Sequence, residues 1–225
     1  MNKQLAKAVA FHESGHYRSV LPITKRLLSA NKKDDAALFY HAFALLGIGQ
    51  FRRSLQYWER LKKISPTDLN LHLNMGVCYH ELGKTSKANQ CYKEELKSYP
   101  ASKEALYNLG INYYYARRYR DAAHYLELCY SQKHRMDRIV CKLAQSYFKT
   151  NQADKEQSLY ENYLMENPND TWALNNLGSH LMGQGHYHRA LLRLKKAARL
   201  DPKDKLVNRN ILKVEKILGK LKAGG

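Results

Sequence analysis

A period of 34 residues runs through this chain and constrains its fold more than any other feature of the sequence. Prolines recur at multiples of this spacing, at Pro66, Pro100, Pro168 and Pro202. Glycines follow the same period, at Gly15, Gly49, Gly83 and Gly185. A fixed period of this length is typical of a repeat protein, in which each unit is one small supersecondary element that packs on its neighbours.

The period divides residues 1–204 into six units without an insertion or a deletion: 1–34, 35–68, 69–102, 103–136, 137–170 and 171–204. The eighth position of each unit carries only the smallest side chains, at Ala8, Ala42, Gly76, Gly110, Ala144 and Gly178. The eleventh position carries large ones, at Phe11, Leu45, Tyr79, Tyr113, Tyr147 and Leu181. Since small residues allow two helix backbones to approach and large ones fill the space beside them, we predict that each unit is a pair of packed helices, A and B.

The loops between units carry signals for helix ends. The proline follows helix B, where it cannot continue a helix. Two residues further on stand good N-cap residues for the next helix A, at Asp34, Asp68, Ser102, Asp170 and Asp204. The fifteenth position, mostly glycine, is expected to form the turn between helices A and B.

In this register the sequence resembles the tetratricopeptide repeat (TPR) family. The segment 107–113 reads Tyr-Asn-Leu-Gly-x-x-Tyr and is followed by Tyr119 and Ala122, close to the family consensus. The segment 175–178 with the later Gly185, Tyr187 and Ala190 is similar. The resemblance covers about nine-tenths of the chain. It implies an all-α, right-handed superhelical solenoid of six TPR helix-turn-helix units.

Several residues depart from the family pattern. Pro22 falls inside helix B of the first unit and is expected to kink it or delay its start. Glu95 and Glu156 replace small residues of helix B. Arg117 and Asn151 replace the turn glycine, although asparagine tolerates the left-handed conformation.

Residues 205–222 are predicted to form a C-terminal amphipathic helix that caps the open end of the stack. Their apolar side chains are spaced by three and four residues and form one stripe: Val207, Ile211, Val214, Leu218 and Leu221. Terminal elements of repeat proteins commonly cover the last apolar face. Residues 223–225 are expected to be a flexible end.

The resemblance also implies where binding would occur. In TPR proteins the A helices line a concave surface, so the candidates for contact with a peptide are the polar and aromatic residues that these helices present there: Phe39, Tyr40, Phe43, Asn74, Tyr107, Asn108, Tyr114, Tyr115, Lys142, Phe148, Trp172 and Asn176.

The sixth position of the units is a special case, because it holds Asn74, Asn108, Lys142 and Asn176. An asparagine amide carries both a donor and an acceptor and can pair with the backbone of an extended ligand. Asparagine at this position also belongs to the family consensus. The sequence therefore leaves open whether these residues contact a ligand or are present only because they belong to the family consensus.

The predicted function is a protein–protein interaction scaffold or adaptor that binds a peptide or protein segment in the concave groove. The alternative comes from the formal net charge of +18, with twelve basic and three acidic residues between Arg189 and Lys222. Such a surface predicts weak, salt-sensitive contact with acidic partners or nucleic acid, or a basic platform for an anionic surface. The partner itself is not identified by the sequence.

An enzymatic function is not expected. Residues 12–16 match the H-E-x-x-H zinc protease pattern, which requires both histidines on one continuous helix. In the repeat register Gly15 is the turn between helices, so His12 and His16 belong to different helices. No third ligand is evident, and catalytic zinc needs three. We therefore predict no catalytic residue, no metal site and no cofactor.

The remaining features concern the compartment. No segment is long and apolar enough to be predicted as a transmembrane helix, and the N-terminal segment does not resemble a secretory signal. The four cysteines have no metal-binding spacing and are expected to remain reduced. These observations predict a cytoplasmic protein.

Overall fold

In the computed structural model, which describes residues 3–66, 70–132 and 137–223, the protein is all-α, as predicted. The chain divides into two compact units, Met1–Asn112 and Tyr113–Gly225, and each is considered by itself. Unit 1 contains α1 (Lys3–Glu13), α2 (Tyr17–Ala30), α3 (Asp35–Gly47), α4 (Phe51–Lys62), α5 (Leu71–Glu81), α6 (Thr85–Ser98) and most of α7 (Lys103–Tyr115). Unit 2 contains the end of α7, α8 (Tyr119–Ser131), α9 (Asp137–Lys149), α10 (Ala153–Glu166), α11 (Thr171–Gly183), α12 (Tyr187–Leu200) and α13 (Lys205–Ala223).

The helices pack as consecutive pairs, α1 on α2, α3 on α4, α5 on α6, α9 on α10 and α11 on α12. The small eighth position of the repeat lies where the two helices of a pair approach most closely. Ala8 and Ala42 are fully buried there. Gly76 lies directly against the ring of Tyr92, and Gly178 lies against Leu194. The periodic small residue is therefore a packing requirement, as the sequence predicted.

The turn between helices A and B is left-handed in every repeat, whether or not the residue is glycine. Gly15 has φ of 73° and Gly185 has φ of 79°. Arg117 and Asn151, which replace glycine at this position, have φ of 59° and 56°. The repeat geometry thus imposes a conformation that L-residues rarely adopt. The departures from glycine do not interrupt the helix pairs.

The N-cap predictions are confirmed at three of the five positions. Asp34 accepts a hydrogen bond from the Ala37 N–H at 2.9 Å, and Asp170 accepts one from Ala173 at 2.8 Å. Asp204 caps α13 through the Val207 N–H at 3.1 Å. For Ser102 the structure shows backbone bonds to Tyr99 and Leu106 and no capping bond of the side chain to a described residue, and Asp68 lies outside the described residues.

Pro22 does not delay helix α2, which begins at Tyr17, the position equivalent to Tyr187 at the start of α12. The proline is exposed within the helix. Because it lacks an N–H, it removes one hydrogen bond within the helix, the one to the carbonyl four residues earlier. Of the two expected effects, the delayed start was wrong, since a single missing bond near the first turn is compatible with a helical start; the kink stays a prediction.

The terminal helix α13 packs on α12 and α11. Val207 and Val214 are fully buried, and Ile211 and Leu218 are partly buried. Leu221 does not continue the covered stripe, because 59% of its surface is exposed. Helix α13 has 19 residues and α12 has 14, so the end of α13 has less surface to cover. The helix also extends to Ala223, which was expected to fray; the last two glycines lie outside the described residues.

Glu95 on α6 is a buried carboxylate that caps a neighbouring helix. Its Oε2 accepts a hydrogen bond from the Leu73 N–H in the first turn of α5 at 3.1 Å. Its Oε1 has no hydrogen-bond partner among the described residues. Burial raises the pKa of the Glu95 carboxyl, and the hydrogen bond from Leu73 lowers it by less. The repeat accommodates this acid where a small residue is usual because it satisfies a free N–H at a helix start.

We expect Glu95→Gln to increase the free energy of unfolding at neutral pH. Because the folded-state pKa of Glu95 lies above its ordinary value of 4.5, the contribution of this carboxyl to stability falls as the pH rises through that range. The amide resembles the protonated acid and lacks this dependence. Urea unfolding of both proteins should therefore show a difference that is largest at neutral pH and disappears in acid. A constant difference at all pH values would contradict a raised pKa.

Candidate functional site

Two tyrosines at the end of α7 and two polar residues of α9 form one cluster in unit 2. The hydroxyl of Tyr114 donates to Oε1 of Gln145. The ammonium of Lys142 lies 4.3 Å from the ring centroid of Tyr114 and 5.3 Å from that of Tyr115. A cation over aromatic faces is held electrostatically by the rings. The structure therefore brings together three of the predicted site residues, and Tyr115 leaves 70% of its surface exposed.

Phe148 lies one turn after Gln145 on α9 and is 64% exposed. It forms part of the rim of a cavity of about 440 Å³ that lies among α9, α10 and α11. The other residues that line the cavity are Asn151, Ala153, Glu156, Tyr160, Asn176, Ser179, His180, Gly183 and Gln184. Phe148 and Asn176, both predicted site residues, thus share one cavity.

A buried Glu–His pair lies in the wall of this cavity. Oε2 of Glu156 is 3.1 Å from Nδ1 of His180, and both side chains are almost completely buried. Burial raises the pKa of the Glu156 carboxyl, and the neighbouring His180 opposes this shift. Among the described residues, no lysine or arginine lines the cavity. The cavity therefore combines one acidic group with amide, hydroxyl and imidazole groups, in a chain with a formal net charge of +18.

Trp172 and Asn176 lie on successive turns of α11. The Asn176 Nδ2 donates to the Trp172 carbonyl at 2.8 Å, so the carboxamide oxygen and the second N–H of this side chain are left for a ligand. The Trp172 ring packs against Tyr160 and Tyr163, with centroids 5.8 Å and 6.5 Å away. Trp172 is not among the residues that line the cavity.

The predicted site residues of unit 1 are more buried. Phe39, Tyr40 and Phe43 are partly buried on α3. The Phe43 ring lies 4.5 Å from His12, and the Tyr40 ring lies 5.2 Å from it. Phe39 packs edge-on against the buried Trp58 at 5.4 Å. These aromatics fill the space between helices, and only part of each ring is available to a ligand.

The asparagines of the sixth repeat position have different surroundings. Asn74 is buried, and its Nδ2 has no hydrogen-bond partner among the described residues. Asn108 and Asn176 are partly exposed, and so is Tyr107, one residue before Asn108. The three asparagines therefore differ in exposure, and their contact with a ligand stays a prediction.

Sequence reasoning missed the polar wall of the cavity. Glu156 was recognised as an unusual residue of helix B, but its pairing with His180 was not predicted. Ser179 and Gln184 were not among the candidates either, because they differ little from ordinary polar residues of a repeat. The only signal in the sequence was the acid at a position that normally holds a small residue.

The H-E-x-x-H pattern does not form a metal site in the structure. Helix α1 ends at Glu13, and the left-handed Gly15 turns the chain before His16. The His12 ring lies among Tyr17, Tyr40 and Phe43, and burial lowers its pKa. Across residues 3–66, 70–132 and 137–223, no group of three or more His, Cys, Asp or Glu side chains could hold a metal ion.

The same residues include no helix able to span a membrane.

Helix pairs with a 34-residue period, left-handed turns and side chains displayed on the A helices define a repeat protein of the kind that binds other proteins. The chain belongs to the tetratricopeptide repeat family. The family model described as "Psidin, N-terminal TPR repeats region" matches residues 4–125, more than half of the chain. A second model, described as "Tetratricopeptide repeat", matches residues 173–206.

Curated relatives match over less than half of the chain. The "Protein CTR9 homolog" of Arabidopsis thaliana is 31% identical over 98 residues, which are 43% of this chain and 9% of the relative. The "Phagocyte signaling-impaired protein" of Drosophila pseudoobscura pseudoobscura is 27% identical over 101 residues, 45% of this chain and 10% of the relative. The chain thus spans about a tenth of the length of these relatives.

Solved structures show the same fold at low sequence identity. YrrB, described as a TPR protein with an unusual peptide-binding site, has a TM-score of 0.69 at 16% identity over 83% of this chain and 96% of its own. A chain of the Naa15/Naa10 complex bound to HypK-THB has a TM-score of 0.67 at 16% identity over 96% of this chain and 34% of its own. At such identities the similarity establishes the fold alone.

Proposed function

We propose that this chain is a scaffold or adaptor that holds an extended segment of another protein on the A helices of unit 2. The contact would run from the Tyr114–Tyr115–Lys142 cluster along α9 to Phe148 and the cavity beside it. The single observation that carries the proposal is the exposure of Tyr115 and of Phe148, which lines this cavity. Burying two large aromatic rings is favourable, and no described residue of unit 2 covers them.

The polar groups of the cavity suit the backbone of a peptide. An extended segment presents N–H groups that need acceptors once water is excluded. The Asn176 carboxamide oxygen and the Glu156 carboxylate provide acceptors beside Phe148. A lysine or arginine of the partner would fit the same place, because the cavity lining holds an acid and no lysine or arginine. Lys142, at the other end, would favour an acidic or aromatic neighbour.

General properties of the family support this role. TPR proteins generally act in protein–protein interactions, and the description of YrrB mentions a peptide-binding site. The proposed role is binding without catalysis. The partner of this chain is therefore defined by its chemistry. It carries an apolar side chain that contacts Phe148, followed by N–H donors or a cationic side chain that enters the cavity.

The proposal is tested by selecting ligands from a phage-displayed random peptide library on the purified chain. We expect enriched peptides to share a pattern of an apolar residue next to a donor-rich or basic residue. A synthetic copy of one such peptide should bind Tyr115→Ala and Phe148→Ala about 5- to 30-fold more weakly, because each loses an anchor side chain worth roughly 1–2 kcal/mol. Asn176→Ala should weaken it less, since one hydrogen bond contributes about 1 kcal/mol.

Matched controls exist on the B helices. Met165 on α10 is 77% exposed and Leu192 on α12 is 63% exposed, so their replacement by alanine removes comparable apolar surface elsewhere. We expect both variants to bind the peptide like the wild type. Weaker binding of the two controls with unchanged binding of Phe148→Ala would place the ligand on the B helices and refute the proposal.

A further inference from the structure

Unit 1 contains a second cavity, of about 590 Å³, where the last turns of α2 and α4 meet the turn after α2. Its floor is apolar, with Leu28, Tyr57 and Ile64. Among the described residues, five cationic side chains and no acidic one line it: Lys25, Lys32, Lys33, Arg60 and Lys63. This cavity is separate from the surface proposed above, which lies entirely in unit 2.

None of these five cations has a carboxylate partner among the described residues. Elsewhere in the chain, three basic residues of the B helices are paired. Lys155 lies 3.2 Å from Glu127, Arg189 lies 3.3 Å from Glu161, and Lys195 lies 3.1 Å from Glu215. In the cavity, by contrast, five cations without such a partner lie close together.

The repeat pattern shows how this concentration arises. The Glu127–Lys155 and Glu161–Arg189 pairs connect equivalent positions of successive B helices, 28 residues apart. In the first two repeats those positions hold Lys25 and Arg53. Lysine thus stands at Lys25 where Glu127 and Glu161 carry the negative charge of a pair, and lysine recurs at this position in Lys93 and Lys195. With Arg53 at the partner position, the first two repeats carry two cations where the two observed pairs carry an acid and a base.

The buried His41 beneath α2 is consistent with a positive local potential. Its Nδ1 lies 2.7 Å from the Thr24 hydroxyl. Burial, together with the nearby Arg53, Arg60 and Lys25, lowers the pKa of His41 to about 4. His41 is therefore neutral near pH 7, and the charge of the cavity belongs to lysine and arginine side chains that can reach a ligand.

Part of the cavity is already organised for binding. Arg60 Nη2 donates to the Lys32 carbonyl at 2.9 Å, and its guanidinium lies 5.1 Å from the Tyr57 ring. These contacts fix the position of the guanidinium before a ligand arrives, which lowers the entropy cost of binding. The Tyr57 ring also packs against His41 at 4.2 Å, so it is not free to stack on a nucleobase.

We propose that this cavity binds an acidic segment of another protein. Carboxylates of the segment would pair with Lys25, Arg60 and Lys63 around the rim, and an apolar side chain between them would contact Leu28 and Ile64. The apolar floor favours a peptide over a nucleic acid backbone, which has no apolar group to place there. The site would let the chain hold two partners, or two segments of one partner, on separate units.

The test uses fluorescence anisotropy with a short labelled peptide in which two leucines stand among aspartates and glutamates. Comparison ligands are the same peptide with asparagine and glutamine for the acids, the acidic peptide with serine for leucine, and a single-stranded oligonucleotide of equal charge. We expect the acidic peptide with leucines to bind most tightly, and its affinity to fall between low and physiological ionic strength, as ion pairs are screened.

Lys25→Glu is the decisive variant, because the introduced glutamate recreates opposite Arg53 the ion pair of the later repeats. It should fold at least as well as the wild type and bind the acidic peptide about tenfold more weakly, since one attraction becomes a repulsion. Lys63→Glu, on another part of the rim, should have a similar effect. The control is Lys216→Glu on α13, which changes the net charge equally and should leave the affinity nearly unchanged.

Two results would overturn the proposal. Equal weakening by Lys25→Glu and Lys216→Glu would show that only the overall charge attracts the peptide. Tighter binding of the oligonucleotide than of the peptide, abolished by Lys25→Glu, would assign the cavity to nucleic acid. Neither result would affect the surface of unit 2, because Phe148→Ala tests that surface with a different peptide.

Discussion

Replacing Gly178 by leucine should lower the free energy of unfolding by about 2–3 kcal/mol, as overpacking of a close helix contact typically does. A Cβ atom at this position would lie 2.7 Å from Cγ and 2.8 Å from Cδ2 of Leu194 on α12. It would also lie 3.3 Å from the Ala190 carbonyl oxygen. The leucine side chain could change its rotamer, but the backbone carbonyl cannot, so α11 and α12 would have to separate.

Gly183 on the same helix provides the matched control. It is exposed, and a Cβ atom placed there would meet no other group within 4 Å. Gly183→Leu adds the same side chain without a clash, and it removes the conformational freedom of glycine from the unfolded chain. We expect it to be neutral or to stabilise by up to about 1 kcal/mol. Urea unfolding followed by circular dichroism measures both variants, and a similar cost for the two would mean that the eighth repeat position is not a close contact.

The helix pairs could be predicted from the sequence because their determinants are local and periodic. The turn needs a left-handed residue at a fixed place, and the repeat register identified Arg117 and Asn151 as occupants of that place although neither is glycine. Asp34 and Asp170 identified the starts of α3 and α11 in the same way. A period that recurs through the chain repeats each local signal and so compensates for the weakness of any one of them.

The side-chain pairs between helices could not be predicted in the same way. Glu95 and Glu156 were recognised as unusual, but Glu95 bonds to the Leu73 N–H and Glu156 to the His180 ring, both on another helix. The repeat pattern indicates which helices meet, whereas such pairs depend on rotamers and on the exact rise of each helix. The cavity beside Phe148 depends on these details, and it was therefore found only in the structure.

The basic cavity of unit 1 could be predicted from the sequence only in part. Its elements are visible in an alignment of the repeats, since the position of Lys25 holds glutamate in three later repeats, at Glu59, Glu127 and Glu161, and lysine in the other two, at Lys93 and Lys195. The observed pairs Glu127–Lys155 and Glu161–Arg189 show that these two repeat positions contact one another. A change from glutamate to lysine at the first position therefore removes the partner of the base at the second. A sequence can therefore reveal a change of charge at a repeat position before it reveals what that position contacts.

Truncation of the chain after Asp204 should have the largest effect on unit 2. Val207 and Val214 are fully buried in α13, and the loss of their contacts with α11 and α12 should cost about 3–5 kcal/mol at roughly 1.5–2.5 kcal/mol for each side chain. The Asn210 amide donates to Asn175 Oδ1 at 2.9 Å and to Ser179 Oγ at 3.1 Å, and these bonds would be lost as well. Terminal repeats without a covering element commonly unfold or associate through the exposed face.

Two point variants of α13 test whether its buried contacts with α12 stabilise unit 2. Val214→Asp places a charge in the contact with α12 and should destabilise about as much as truncation, because a buried unpaired carboxylate is costly. Leu212→Asp, on the same helix at a position that is 67% exposed, introduces the same charge and should have little effect. Hydrogen exchange should show faster opening of α11 and α12 in the truncated chain and in Val214→Asp, and light scattering should show association. If the truncated chain unfolds at the wild-type urea concentration and stays monomeric, α13 does not cover the repeats, and its leucines and lysines are then available to a partner.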